Sequence, residues 1–223
     1  MGSVLQIVAA ALAGLAIGWT AASYQHLLYR EDEYRTSPLR GKKALFVRSA
    51  LAAAFAATFM IAFRPDHYSF PAAAASAVVV GVLTTLASTD FERRRIPNRL
   101  VYPAMLLALG AMFIWPDRNV WDALYGAGLG FGVGALMVLL GAAVGSTTGA
   151  RGTAFGIGDA KMIFLLGILV GWPRFLQAML LGVLAAGLPA IVLLAMGGRG
   201  RTYSYGPYLA FGGAVLVLWP DLF

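Results

Sequence analysis

Residues 71–98 read PAAAASAVVVGVLTTLASTDFERRRIPN, and they decide how the chain folds. The run 71–91 is predominantly apolar and long enough to cross a membrane, yet it ends on a carboxylate, Asp90. Glu92, three arginines and Ile96-Pro97-Asn98 follow at once. A carboxylate at the end of a membrane helix is costly and needs a reason. The same event recurs in FGIGDAKM (155–162), where Asp159 stands between a glycine-rich loop and another apolar run.

Composition extends this reading to the whole chain. Of 223 residues, 60% are hydrophobic and 12% charged, against about 45–50% and about 25% in soluble domains. The apolar residues fall in eight blocks, at about 3–28, 45–63, 71–91, 99–115, 120–145, 159–172, 174–196 and 206–219. Period-two alternation, the signature of a membrane barrel, is absent. The expectation is an all-α, polytopic membrane protein of about eight transmembrane helices, with residues 1–223 forming a single membrane-embedded domain. No arginine precedes Arg30, so the first run reads as a retained span rather than a cleaved signal peptide.

Charge sets the orientation. With the N-terminus outside, 14 of the 17 basic residues fall on the cytoplasmic side, and only Arg64, Arg118 and Arg174 fall opposite. Such a bias is what orients membrane proteins. It accounts for the net charge of +7 without nucleic-acid binding. Asp90 and Asp159 then both lie at the cytoplasmic face. The first cytoplasmic loop, Arg30 to about Ala44, carries Glu31, Asp32 and Glu33. It reads as a solvated loop, or as a contact for a basic substrate segment.

Two features bear on water access and packing. The sixth block, Asp159 to Trp172, is about 21 Å long as a helix against a hydrocarbon core of about 30 Å. Short spans beside glycine-rich loops suggest a thinned membrane or a water-filled cavity. In the fifth block, Gly126, Gly130 and Gly134 share one helical face and suit close approach of another helix. The GLGFG there has no preceding strand, which argues against a nucleotide loop.

The absence of cysteine excludes thiolate zinc sites and cysteine nucleophiles, and His26 and His67 are far apart. No metal or cofactor is expected. Ser146 has no histidine or lysine partner in its vicinity. Two carboxylates remain. Held close, they cannot both ionise, so they share one proton and titrate as a unit. The ionised member activates water and the protonated one assists the scissile carbonyl. Gly156 and Gly158 remove side chains beside Asp159, so a substrate backbone can approach it. Lys161, two residues on, either stabilises the Asp159 anion, steers substrate, or is a plain charge that orients the protein in the membrane. The competing reading is that each aspartate caps a helix or pairs with one of Arg93, Arg94 and Arg95.

Together the two motifs resemble the GxGD aspartyl proteases, specifically the type IV prepilin peptidase family. The first family motif is an aspartate, a basic stretch and Ile-Pro-Asn, here Asp90 to Asn98. The second is Gly156-Ile-Gly158-Asp159-Ala-Lys161. SYGPYLAFGG (204–213), with Gly206 and Pro207, resembles the family's FGP-type segment near the last span. LAIGWTAASYQHLLYR (15–30) resembles its GSFLNVVIYR region.

The resemblance implies that Asp90 and Asp159 are the catalytic pair. It implies an enzyme of the cytoplasmic membrane that cuts the short basic leader from a prepilin, pseudopilin or archaellin-like precursor. Lipid bilayer, not nucleic acid, is the other partner. Gly156, Gly158, Lys161, Gly206 and Pro207 are expected around substrate approach. The departures are a short first loop without CxxC pairs, Trp19 in the early motif, and the lack of its Asn. They argue against zinc and against methyl transfer.

Two other readings share the carboxylates. A presenilin-type or signal-peptide-peptidase-type protease would need a Pro-Ala-Leu motif and a Tyr-Asp pair, which this chain lacks. A proton-coupled transporter would use the aspartates as a relay, but both lie at one face and no matching half-helices are evident.

Overall fold

The computed structural model describes residues 2–29, 40–65, 67–115, 118–148, 156–196, 204–220 and 222. Among them are eight α-helices and no strand: α1 Gly2–Tyr24, α2 Gly41–Ala62, α3 Phe70–Arg93, α4 Asn98–Ala111, α5 Val120–Thr148, α6 Ile157–Val170, α7 Arg174–Ala195 and α8 Gly206–Leu218. A 3-10 segment, Gln25–Tyr29, continues α1.

The eight apolar blocks thus become eight helices, shifted by a few residues. α4 stops at Ala111, short of the expected 115, and the turn after it sends the Trp115 indole N–H to Ser76 Oγ at 2.9 Å. α2 begins at Gly41 rather than 45. The acidic run Glu31, Asp32 and Glu33 lies outside the described residues, as does the loop 149–155.

Five of the described helical stretches are long and apolar enough to cross a membrane: Ser3–Leu28, Gly41–Ala62, Phe70–Arg93, Val120–Ala143 and Arg174–Val192. α4 and α6 have 14 residues and α8 has 13, giving lengths of about 20 Å against a core of about 30 Å. α6 and α8 sit inside, whereas α4 buries one face and exposes Tyr102, Leu106 and Leu107 on the other. α6 packs against α4, α5, α7 and α8, and Met162, Ile163, Leu165, Leu166 and Leu169 along it are buried. Of the long helices, α3 is central, while α1, α5 and α7 are outside and expose apolar side chains such as Leu5, Phe131 and Leu188. Hydrocarbon is the solvent that tolerates such a surface.

The expected glycine face on α5 is the seam with α6. A Cβ on Gly130 would stand 2.9 Å from the Ile163 carbonyl oxygen, and one on Gly134 would stand 3.0 Å from that of Ala160. Backbone-to-backbone contact at these two turns leaves no room for a side chain.

The helices alternate in direction. One end of the bundle joins the start of α1 to the end of α2, through Gln6 Nε2 donating to the Phe63 carbonyl at 3.0 Å. At that same end Tyr68, just before α3, donates to the Val217 carbonyl near the end of α8 at 2.7 Å. The opposite end gathers the 3-10 segment, the end of α3 and the starts of α4, α6 and α8.

Candidate active site

α3 runs unbroken to Arg93 and is stopped by Arg94, whose φ of 54° is left-handed. The Arg94 N–H closes the helix onto the Asp90 carbonyl at 2.7 Å. This stop turns the chain sharply, and α4 then starts directly after Pro97. The turn holds Ile96 against α6: a Cβ placed on Gly158 would stand 3.4 Å from Ile96 Cβ.

Asp90 is 5% exposed, buried near the C-terminal end of α3. Its Oδ2 accepts the Gly206 N–H at 2.8 Å and the Ser204 hydroxyl. Gly206 is the first residue of α8, and Pro207 follows where a missing N–H costs nothing. The first turn of α8 therefore points its positive end at the Asp90 carboxylate. Asp159 stands at the third position of α6, and its Oδ2 accepts the Gly156 N–H at 3.1 Å. Each aspartate does serve a helix N-terminus, so the capping reading is realised for both.

Capping does not exhaust them. Asp90 and Asp159 line one open cavity of about 440 Å³ between the ends of α3, α4 and α6. Gly156, Gly158 and Lys161 line it too, so the bundle brings these sequence-selected residues together. Gly206 joins through its bond to Asp90, whereas Pro207 does not line the cavity. Arg94, Arg95 and Arg99 add positive charge to the same walls. Arg93, another candidate partner for Asp90, lies 3.0 Å from Glu92.

Lys161 has a more specific place than expected. Its Nζ donates to Asn98 Oδ1 at 2.6 Å and lies 5.2 Å from the centre of the Tyr102 ring. It ties the start of α6 to the start of α4 across the cavity.

Three residues of the site are not singled out by sequence. Ser204 belongs to the quoted SYGP, but nothing local marks its hydroxyl as a partner of a carboxylate 114 residues away. Ile96 reads only as part of a turn. Gln25 is 3% exposed and bonded to α3. When LAIGWTAASYQHLLYR and GSFLNVVIYR are set on their closing Tyr-Arg, Gln25 stands where the second has Asn. The amide was there to be found, one methylene longer. Among the described residues, no three His, Cys, Asp or Glu side chains form a cluster that could hold a metal ion.

Comparison with known proteins gives the same constellation a lineage. The chain is 29% identical over 162 residues to the prepilin leader peptidase/N-methyltransferase of Pseudomonas aeruginosa, covering 70% of this chain and 53% of that protein. It is 30% identical to that of Stutzerimonas stutzeri over the same shares. The protein of that name from Escherichia coli K12 is 28% identical over 212 residues, covering 82% of this chain and 85% of the relative. The chain spans about half the length of the Pseudomonas and Stutzerimonas relatives it matches. No solved structure matches. The family model for type IV leader peptidases matches residues 77–191, which include both aspartates and the α3–α4 turn between them. With its apolar helices and this match over more than half its length, the chain is a multi-pass membrane protein that belongs to the type IV leader peptidase family.

Proposed function

We propose that the chain is a membrane aspartic endopeptidase that removes the short basic leader of type IV prepilins or pseudopilins, with Asp90 and Asp159 as a water-activating pair. The observation that carries this is the single cavity onto which both carboxylates open, at one end of the bundle. Its volume of about 440 Å³ is ample for water and an extended stretch of substrate.

In this reading the pair holds one proton. The ionised carboxylate takes a proton from water as the oxygen attacks the scissile carbonyl carbon. The protonated partner donates to the carbonyl oxygen. As the tetrahedral species collapses, the ionised carboxylate takes a proton from a diol hydroxyl, the protonated one gives its proton to the nitrogen, the C–N bond breaks, and the pair is left again with one proton. The cationic walls favour the negative charge that the pair carries in each resting state. The bonds to Asp90 Oδ2 fix that carboxylate's rotation, so it meets substrate pre-oriented.

The cavity lies at the ends of α3, α4 and α6. The 14-to-3 distribution of basic residues supports a reading with that end at the cytoplasmic face, eight spans and the N-terminus outside. A cut there falls just before a substrate's membrane helix, where a basic leader would stand. Methyl transfer is not part of the proposal.

The test is co-expression with prepilins and pseudopilins from the same genome, scored for leader removal. Asp90→Asn and Asp159→Asn should each lower turnover by about 10²–10⁴-fold in protein that inserts and purifies normally. Near-normal turnover in either variant would remove that residue from the pair. Reporter fusions in 92–98 should report the cytoplasmic side.

A further inference from the structure

The buried amide of Gln25 has no role in the proposed chemistry, yet it is fully engaged. Its Nε2 donates to Glu92 Oε2 at 3.1 Å, and its Oε1 accepts the Ser88 hydroxyl at 3.1 Å. Ser88 and Glu92 lie two residues before and two after Asp90 on α3. Gln25 therefore grips one face of α3 at two successive turns, level with the aspartate but on the side turned away from its carboxylate. It also begins the 3-10 segment, in which side chains three apart eclipse one another. Leu28 is three residues on, and it lines the cavity that holds Asp90 and Asp159. With Ile96 and Pro97 it supplies the apolar part of a lining otherwise made of charged and polar groups and glycine.

We infer that Leu28 is a specificity-determining wall for an apolar substrate side chain flanking the scissile bond, and that Gln25 is the positioning residue that holds it there. The inference rests on the peptidase reading. Water and the carboxylates occupy the polar side of the cavity, so a side chain next to the reacting carbonyl meets the apolar side. The 3-10 segment continues α1, which packs chiefly on α2 and only slightly on α3. The Gln25 bonds to Ser88 and Glu92 hold this segment, and Leu28 with it, against α3.

The experiment uses full-length enzyme in detergent and a prepilin set. The residues before and after the scissile bond are varied one at a time among Ala, Leu and Phe. Wild type must first cleave the parent prepilin; failure there rejects the peptidase reading itself, whereas a changed preference in an active enzyme bears on the wall alone. Leu28→Ala should shift the ratio of kcat/KM between Phe and Ala substrates about tenfold toward Phe at one of the two positions, and Leu28→Trp should shift it the other way. Gln25→Leu, which keeps bulk and loses the amide, should flatten the same preference and lower kcat. Gln25→Asn should restore part of it. Unchanged ratios in both Leu28 variants would overturn the wall. A uniform loss on all substrates in Gln25→Leu would reduce Gln25 to a fold contact. If Gln25→Leu does not purify as folded protein, Gln25→Asn with the Leu28 pair decides alone.

Discussion

The backbone N–H of Gly206 donates to Oδ2 of Asp90 at 2.8 Å across 116 residues of sequence, joining the start of α8 to the end of α3. A Cβ on Gly206 would stand 2.5 Å from that same oxygen. Contact this close belongs to a residue without a side chain, and it makes the glycine of SYGP part of the carboxylate's seat. Gly206→Ala should push α8 and Asp90 apart and lower turnover roughly 100-fold, the scale of a small misplacement of a reacting group. Ser204→Ala removes one hydrogen bond and leaves the approach open, so about a tenfold loss at most is expected. Turnover per mole of folded enzyme checks both. Equal, mild effects would mean that the seat does not orient the carboxylate.

Arg94 holds the sharp turn after Asp90 with a φ of 54°, which non-glycine residues adopt at a cost. Glycine should adopt it freely. Arg94→Ala and Arg94→Gly both remove the guanidinium, so their difference isolates the backbone. Arg94→Gly should be the more stable of the two by about 1 kcal/mol. Unfolding titrations in mixed micelles measure this. Arg94→Ala as the more stable variant would show that the turn is held without left-handed strain.

Much of the architecture was legible because membrane helices announce themselves by length and apolarity, and their ends by charge. Asp90 and Asp159 stood out for the same reason: a carboxylate in an apolar context is conspicuous. The α5 glycines were readable from a spacing of four. What the chain could not disclose locally were partners set by folding alone. Gln25 reaches Ser88 and Glu92 across more than 60 residues, and Ser204 reaches Asp90 across 114. A hydroxyl has no sequence signature for such a task, and the Gln25 amide shows only against the motif's Asn, which does not name its partners. Lys161 was expected near the Asp159 charge or as an orientation residue, and its bond goes to Asn98, because the α3–α4 turn carries that amide over α6.

The two faces of α5 make a paired control. Gly130 faces the α6 backbone with no room for a side chain, while Gly128 has nothing within 4 Å of where a Cβ would lie. Gly130→Leu should separate α5 from α6 and cost about 1–3 kcal/mol. Gly128→Leu should be neutral within about 0.5 kcal/mol. Thermal aggregation midpoints in detergent separate them. Equal losses would refute the close-packed seam.

The glycine beside Asp159 is the sharpest case. The sequence suggests that Gly156 and Gly158 admit a substrate backbone. In the fold, the space over Gly158 faces Ile96, at 3.4 Å from a Cβ built there, and a Cβ on Gly156 would sit 3.6 Å from Asp159 Oδ2. Both are ordinary contacts. Gly156→Ala and Gly158→Ala should therefore keep most activity. Gly158→Val adds two methyl groups against Ile96 and should displace the α3–α4 turn, which carries Asn98 and cavity-lining Arg94 and Arg95. A loss of roughly 100-fold in turnover is expected from that displacement. If Ile96 is the obstacle, Ile96→Ala in the same chain should recover much of the loss, and the double-mutant cycle should show coupling of about 1–3 kcal/mol. If substrate is the obstacle, Ile96→Ala should recover nothing and the two losses should add. Cleavage per mole of folded protein, with KM and kcat resolved, distinguishes the two: a turn displaced beside the aspartates lowers kcat, whereas a blocked substrate raises KM. Additive losses with a raised KM would return Gly158 to the role of admitting substrate.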